Sequence, residues 1–171
     1  SPFGKVGTGY PAIEAEKKVK GAADYADDIK TKNALHCKFL RSIHPHAKIE
    51  HIDASEAMKI PGVRYIATGK EIPVKFGVLP ISQDETAIAI DKTRYIGEIV
   101  AAVAADTEEI ASIACKRIQV KYKRIKEFLK IDESLNDVGT NEKIHNHTKF
   151  NNNIHKKAEL RFGDQQEGLN N

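Results

Sequence analysis

Lys92–Tyr122 reads KTRYIGEIVAAVAADTEEIASIACKRIQVKY, a strand, a capped helix and a second strand in one run. Ile99 to Ala105 is an unbroken apolar stretch, too uniform for a strand with one wet face. Asp106 follows, with Glu109 three residues on, a spacing that predicts a capping box at the start of a helix. Ile110, Ile113, Ala114 and Ile118 recur at helical spacing as the apolar face. Glu108, Ser112, Lys116 and Gln119 fall on the wetter side. Ile118, Val120 and Tyr122 then alternate with Gln119 and Lys121, as on a strand with one buried side. The unit holds no nucleophile–base pair, phosphate loop or ligand cluster, and it reads as scaffold.

Working outward, Leu35–Arg41 is expected to be a strand with Leu35, Cys37 and Phe39 on its buried face, and Lys48–Ile52 a second strand. Asp53 opens a short helix with Glu56 in the capping position, and Pro61-Gly62 stops it. Val63–Ala67 returns as a strand, 69–84 reads as loop, and Thr86–Ile90 as a short edge strand. Beyond Ile125 the pattern weakens. Asp132–Asn136 predicts one helical turn, and Gly139–Asn153 an exposed linker rich in Asn, His and Lys. Ala158–Phe162 reads as one further strand, and Gly163-Asp164 as a helix start. Residues 1–16, broken by Gly4, Gly7, Gly9 and Pro11, read as a flexible arm. The fold class expected is α+β, a mixed sheet with a few helices.

The chain has 171 residues, enough to bury a core without staples. Aromatic residues are 6% with no Trp, which argues against a base-stacking surface. Net charge is +3, from 27 basic and 24 acidic residues, too mild to imply a nucleic-acid partner. No apolar run approaches the roughly 20 residues that span a bilayer. Cys37 and Cys115 lie far apart, form no CxxC pair and read as small core residues, so a reducing cytoplasm is the simpler setting.

A few clusters have residue types that could carry chemistry. His44 and His46 stand two apart, with His51 or Cys37 as further ligands for one ion. The other reading is a polar turn bent by Pro45, and no acid or third His stands at a recognisable spacing. His145-Asn146-His147 resembles a nuclease string but sits in a polar linker. Asp24, Asp27 and Asp28 lack the ligand spacing of a calcium loop. GKVGTG at 4–9 lacks the spacing and preceding strand of a nucleotide loop. Arg41, Arg64, Arg94 and Arg161 are scattered. No catalytic, cofactor-binding or metal residue is assigned.

Taken in order, several strings resemble the molybdenum hydroxylases, the xanthine dehydrogenase and aldehyde oxidase family. KGAADYADDI (Lys20–Ile29) is similar to the family's entry segment, and LRSIHPHAKI (Leu40–Ile49) to its LRSPHAHARI string. IDASEAMKIPGV (Ile52–Val63) and TGKEIP (Thr68–Pro73) resemble the next part. RYIGEIVAAVAADT (Arg94–Thr107) matches the RYVGEPVAAVVAED pattern, with Ile99 in place of Pro, and IQVKY (Ile118–Tyr122) its ending. FGDQQEGL (Phe162–Leu169) looks like the family's FGD segment, and FGVLPISQDE (Phe76–Glu85) is similar to 4-hydroxybenzoyl-CoA reductase.

The resemblance implies an α/β hammerhead domain over 17–128, after an arm over 1–16. A linker and the start of a molybdopterin-binding domain would follow over 129–171. It implies a non-catalytic packing role in the large subunit of an oxidoreductase acting on an aromatic, heteroaromatic or aldehyde substrate. Molybdopterin-bound molybdenum, iron–sulfur clusters and FAD would sit on other domains or subunits, which would be the partners. A free-standing binding or assembly module of the same fold, or a small histidine metalloprotein using His44, His46 and His51, are the alternatives.

Overall fold

Strand β7 (Ile99–Ala105) is the spine of the fold because its alternate residues can all be buried against one helix. The computed structural model describes residue 9 and residues 12–78, 83–136, 142–146 and 149–169, with the side chains at 165 and 167 left aside. The chain divides into two units, Ser1–Ala34 and Leu35–Asn171, each described by itself. In the first, helix α1 (Ala15–Val19) carries Glu14–Lys18 and Glu16–Lys20 ion pairs one turn apart. A 3-10 turn at Ala26–Asp28 follows, with the Tyr25 amide donating to Asp28 Oδ2 at 2.9 Å. Of the expected N-terminal arm, all but Gly9 and residues 12–16 lies outside the described residues.

The second unit runs through β1 (His36–Arg41), β2 (Ala47–Asp53), α2 (Ser55–Met58), β3 (Val63–Thr68), β4 (Lys75–Phe76), β5 (Glu85–Thr86) and β6 (Lys92–Thr93). After β7 come α3 (Glu108–Arg117), β8 (Gln119–Arg124), α4 (Ile131–Leu135) and α5 (Gln165–Leu169). The strands form three antiparallel sheets, ordered β1-β7-β3, β6-β2-β8 and β4-β5. The expected mixture of sheet with a few helices is therefore present.

One face of β1-β7-β3 packs on α3. Ala101, Val103 and Ala105 of β7 meet Ala111, Ala114, Cys115 and Ile118, with Ala57 of α2 and Ile66 of β3 completing a dry cluster. Small residues dominate that seam, so helix and sheet approach closely. Helix α3 carries Glu108 and Glu109 in its first turn and Lys116 and Arg117 in its last, the signs that suit its dipole.

The structure corrects several expectations. The α3 cap is Thr107, whose hydroxyl accepts from Ile110 N at 3.2 Å. Asp106 is drawn away by Arg64, so no Asp106–Glu109 capping box forms. Ile113 is exposed and Ala111 and Cys115 are buried, a face rotated from the predicted one to meet β1 and β7. On β1 the inward residues are Lys38 and Leu40, and Leu35, Cys37 and Phe39 are exposed. Register decides this: Lys38 pairs with Val103, whose side chain points at α3, and Cys37 pairs with Ala104 on the other side. Cys37 is thus no core residue, whereas Cys115 is buried.

Of Thr86–Ile90 only Thr86 pairs as strand, and the rest bends to put Ala89 N on Ile99 O at 2.8 Å. Ala158–Phe162 is not a strand: it is exposed and carries no ladder hydrogen bonds. Asp53 does accept a hydrogen bond near α2, from Ser55 N at 2.9 Å, although Ala54 is the cap residue.

Candidate functional site

The polar interior of this unit begins at β6, where Lys92 and Thr93 are both buried. β6 pairs with β2 through Ala47 and Lys48, which leaves Lys92 buried, with the residue 9% exposed. A buried ammonium must be hydrogen-bonded. It donates to the backbone carbonyl of Lys143, while Arg94 Nε donates to the carbonyl of Ile144 at 3.3 Å. Ile144 N donates in turn to Asn153 Oδ1 at 2.8 Å. The described part of Gly139–Asn153 is accordingly held on the body of the fold, and Lys143 is buried. That overturns the reading of an exposed linker, because β6 supplies cations that need acceptors.

The turn after β6 is Arg94-Tyr95-Ile96-Gly97-Glu98. Glu98 accepts from the Arg94 amide through Oε2, and its Oε1 lies 3.6 Å from Arg94 Nη1. Gly97 takes a φ of +90°, a conformation that L side chains rarely adopt. Its amide donates to Ser42 O at 2.8 Å, Ser42 N donates to Glu98 O at 2.8 Å, and Arg41 Nη1 donates to Gly97 O at 2.8 Å. The LRS and RYIGE strings, far apart in sequence, are therefore stitched to each other backbone to backbone.

Burial is the main influence on two of these charges. It lowers Lys92 to about 8, with Arg94 adding repulsion, and it raises the Glu98 carboxyl against the pull of Arg94. Nearby, His145 Nδ1 stands 2.9 Å from both oxygens of Asp84. Lys75, Asp84, Thr86, Lys92, Arg94 and Asn146 line an open cleft of about 390 Å³. What this arrangement can do is clamp: Lys92, Arg94 and Asp84 are committed to carbonyls, a carboxylate and an imidazole. The signal for it in the sequence is faint, an alternation of KTR with a following Glu beside an apolar strand.

The candidate histidine ligands do not converge. His46 is 2% exposed, and its Nδ1 lies 2.7 Å from Lys126 O. Its Nε2 is buried with no hydrogen-bond partner among the described residues. Burial lowers its pKa, and Lys92 and Arg94 reinforce the shift. His44 instead sets its ring edge-on to Tyr122 at 5.0 Å between centroids, in a turn where Ser42 Oγ donates to His44 O at 2.9 Å. His51 lies exposed on β2. Among the described residues no group of three or more His, Cys, Asp or Glu side chains could hold a metal ion. Asp24, Asp27 and Asp28 are exposed. His147 lies outside the described residues. Arg64 pairs with Asp106 and Arg161 with Glu159.

Comparison with known proteins places this geometry. The family described as "Aldehyde oxidase and xanthine dehydrogenase, a/b hammerhead domain" matches residues 20–126. The xanthine dehydrogenase/oxidase of Gallus gallus is 37% identical over 131 residues, 76% of this chain and 10% of that protein. Xanthine dehydrogenase 1 of Arabidopsis thaliana is 35% identical over 132 residues, 77% of this chain and 10% of that protein. The solved aldehyde oxidoreductase of Desulfovibrio gigas superposes with a TM-score of 0.67 at 26% identity, over 75% of this chain and 15% of that one. The chain thus spans only a small part of the relatives it matches. With its β1-β7-β3 sheet on α3 and its RYIGE turn tied to LRS, the chain belongs to the aldehyde oxidase and xanthine dehydrogenase family and carries that family's α/β hammerhead domain.

Proposed function

We propose that this chain serves as a non-catalytic packing domain in the large subunit of a molybdenum-dependent oxidoreductase. The observation that carries the reading is the hammerhead match over residues 20–126. The domain proper is taken as 17–128, with an arm before it and the lead into a molybdopterin-binding domain over 129–171. The remainder of the large subunit and the iron–sulfur and flavin components are its partners.

The described residues of this chain do not fit a molybdopterin site. The cleft beside β6 offers charged groups, but Lys92, Arg94 and Asp84 already serve Lys143, Ile144, Glu98 and His145. No residue here is assigned to the cofactor. The parent enzyme would hydroxylate an aromatic, heteroaromatic or aldehyde carbon with water, or run the reductive counterpart on an aromatic thioester. The Phe76–Glu85 string supports the latter, a 4-hydroxybenzoyl-CoA reductase. The free thiols Cys37 and Cys115 support a reducing, cytoplasmic setting. No helix among the described residues is long and apolar enough to cross a membrane.

The test is purification of the gene's full-length product from its native host through a chromosomal tag. Stoichiometric molybdenum, together with iron and flavin, and oxidation of a heteroaromatic or aldehyde panel are expected. A native product free of molybdenum overturns the reading.

A further inference from the structure

The row that crosses the sheet β6-β2-β8 at Lys48 is made of lysine alone. Lys48 pairs with Lys92 on one side and with Lys123 on the other. Residues paired directly across antiparallel strands share a face, with Cβ atoms about 4.5–5.5 Å apart, and like charges so placed repel. Lys48 lies close enough to Lys92 to oppose its charge.

The three lysines meet this repulsion differently. Lys92 is buried and donates to the Lys143 carbonyl. Lys48 and Lys123 are exposed, and among the described residues neither has an ion-pair partner. The sheet has no acid to give them. β6 (KT) and β8 (QVKYKR) carry none. On β2, Glu50 is taken by Lys121 at 3.2 Å, and Asp53 accepts from Ser55 N at 2.9 Å. Beyond β8, Glu127 lies 3.5 Å from Arg124. Two facing ammoniums with no carboxylate between them are complementary to an anion.

Charge and setting select the anion. A carboxylate has two oxygens and can accept from both lysines at once. A small free anion on an open face gains little, because an exposed ion pair contributes at most about 1 kcal/mol. A nucleic acid needs a wider basic field: Glu50 and Asp53 stand on the central strand of this sheet, and the net charge of the chain is only +3. A protein segment brings its carboxylates together with further contacts around them. This chain covers 10% of the length of the Gallus gallus relative, so a large subunit of that size has the residues to supply such a segment.

We propose that the facing Lys48 and Lys123 receive an Asp or Glu carboxylate from an acidic segment of the same large subunit lying outside this domain. The proposal rests on the large-subunit reading above.

The gene's full-length product is the material for the test. A carbodiimide joins amines to carboxylates in direct ionic contact and adds no spacer. It should link Lys48 or Lys123 to Asp or Glu residues of one segment of the same polypeptide outside 17–128, read by mass spectrometry of the peptides. An ammonium held by a carboxylate gives up its proton less readily, so acetylation of both lysines should be about tenfold slower than that of Lys116, an exposed lysine near the end of α3. Lys123→Glu gives the sheet its own carboxylate opposite Lys48 and turns repulsion into attraction. The cross-link from Lys48 should then move from the distant segment to position 123. The proposal is overturned by the absence of a cross-link from either lysine, or by cross-links to a second copy or to an iron–sulfur or flavin component. Acetylation of both lysines at the rate of Lys116 overturns it too. Slow acetylation that nuclease treatment abolishes overturns it in favour of a nucleic acid. Molybdenum content of the wild-type preparation separates the two readings. A product without the metal fails the functional assignment, whereas one that carries it and leaves both lysines open overturns only the docked segment.

Discussion

Arg64 and Asp106 meet in a two-point ion pair at the ends of β3 and β7, with Nε 2.7 Å from Oδ1 and Nη2 2.8 Å from Oδ2. The guanidinium holds the Asp106 carboxyl below its ordinary value. Asp106 N also donates to Gly62 O at 2.9 Å, so the turn before β3 and the end of β7 are tied twice.

This pairing separates the roles of two neighbouring residues. Thr107→Ala removes the side-chain cap of α3 and should cost about 1 kcal/mol in urea unfolding at neutral pH. Asp106→Asn leaves the cap in place, and helix content by far-UV circular dichroism should stay unchanged. An Asp106→Asn variant that frays α3 as Thr107→Ala does would show the cap to be misassigned.

Gly69 is needed for space. A Cβ there would lie 2.5 Å from Ala89 O and 2.7 Å from Ile88 O, both backbone atoms that cannot swing aside. Gly69→Ala should destabilise the fold by roughly 1–3 kcal/mol, the cost of overpacking. Gly168→Ala, with open space around it, is the control and should leave the unfolding midpoint in place.

His46 makes stability depend on mild acid. Its pKa in the fold lies below its ordinary value because burial and the nearby Lys92 and Arg94 oppose the charged ring, against the pulls of the Lys126 carbonyl and Glu142. The unfolded chain therefore binds the proton more readily. Stability is fully present above about 6.5 and falls as pH drops from there toward the folded-state value. The difference in unfolding free energy between wild type and His46→Phe should shrink between pH 7.5 and 5.5; a difference that stays flat refutes this.

Lys92 acts at the alkaline end with the same sign. Its folded-state value of about 8 lies below its ordinary value, so the unfolded chain holds more protons between the two. Stability should rise with pH through that window, by on the order of 1 kcal/mol between pH 7.5 and 9.5. Lys92→Met should abolish the rise, and chemical denaturation at the two pH values measures it.

β7, α3 and β8 were legible as elements because periodicity is local: IVAAVAA had to be largely buried, and Gln119–Arg124 alternates as a strand should, whereas which side of α3 turns inward was set by its packing on β1 and β7. The family strings were legible for a related reason, since each is local. The side of β1 that faces inward was not, because its residues alternate between apolar and polar with apolar ones on both sides. Leu40 and Phe39 are equally suited to a core until the pairing of Lys38 with Val103 is known.

The polar clamp was illegible for a different reason. Lys92 and Lys143 are far apart along the chain, and nothing in the residue types says that a lysine ammonium will find a backbone carbonyl across that distance. The place and type of the central elements β7, α3 and β8 thus came from the sequence alone, because the 3.6- and 2-residue periods are properties of neighbouring residues. Which groups meet across the fold came only with tertiary structure: a buried charge accepts whatever partner packing brings within hydrogen-bond reach.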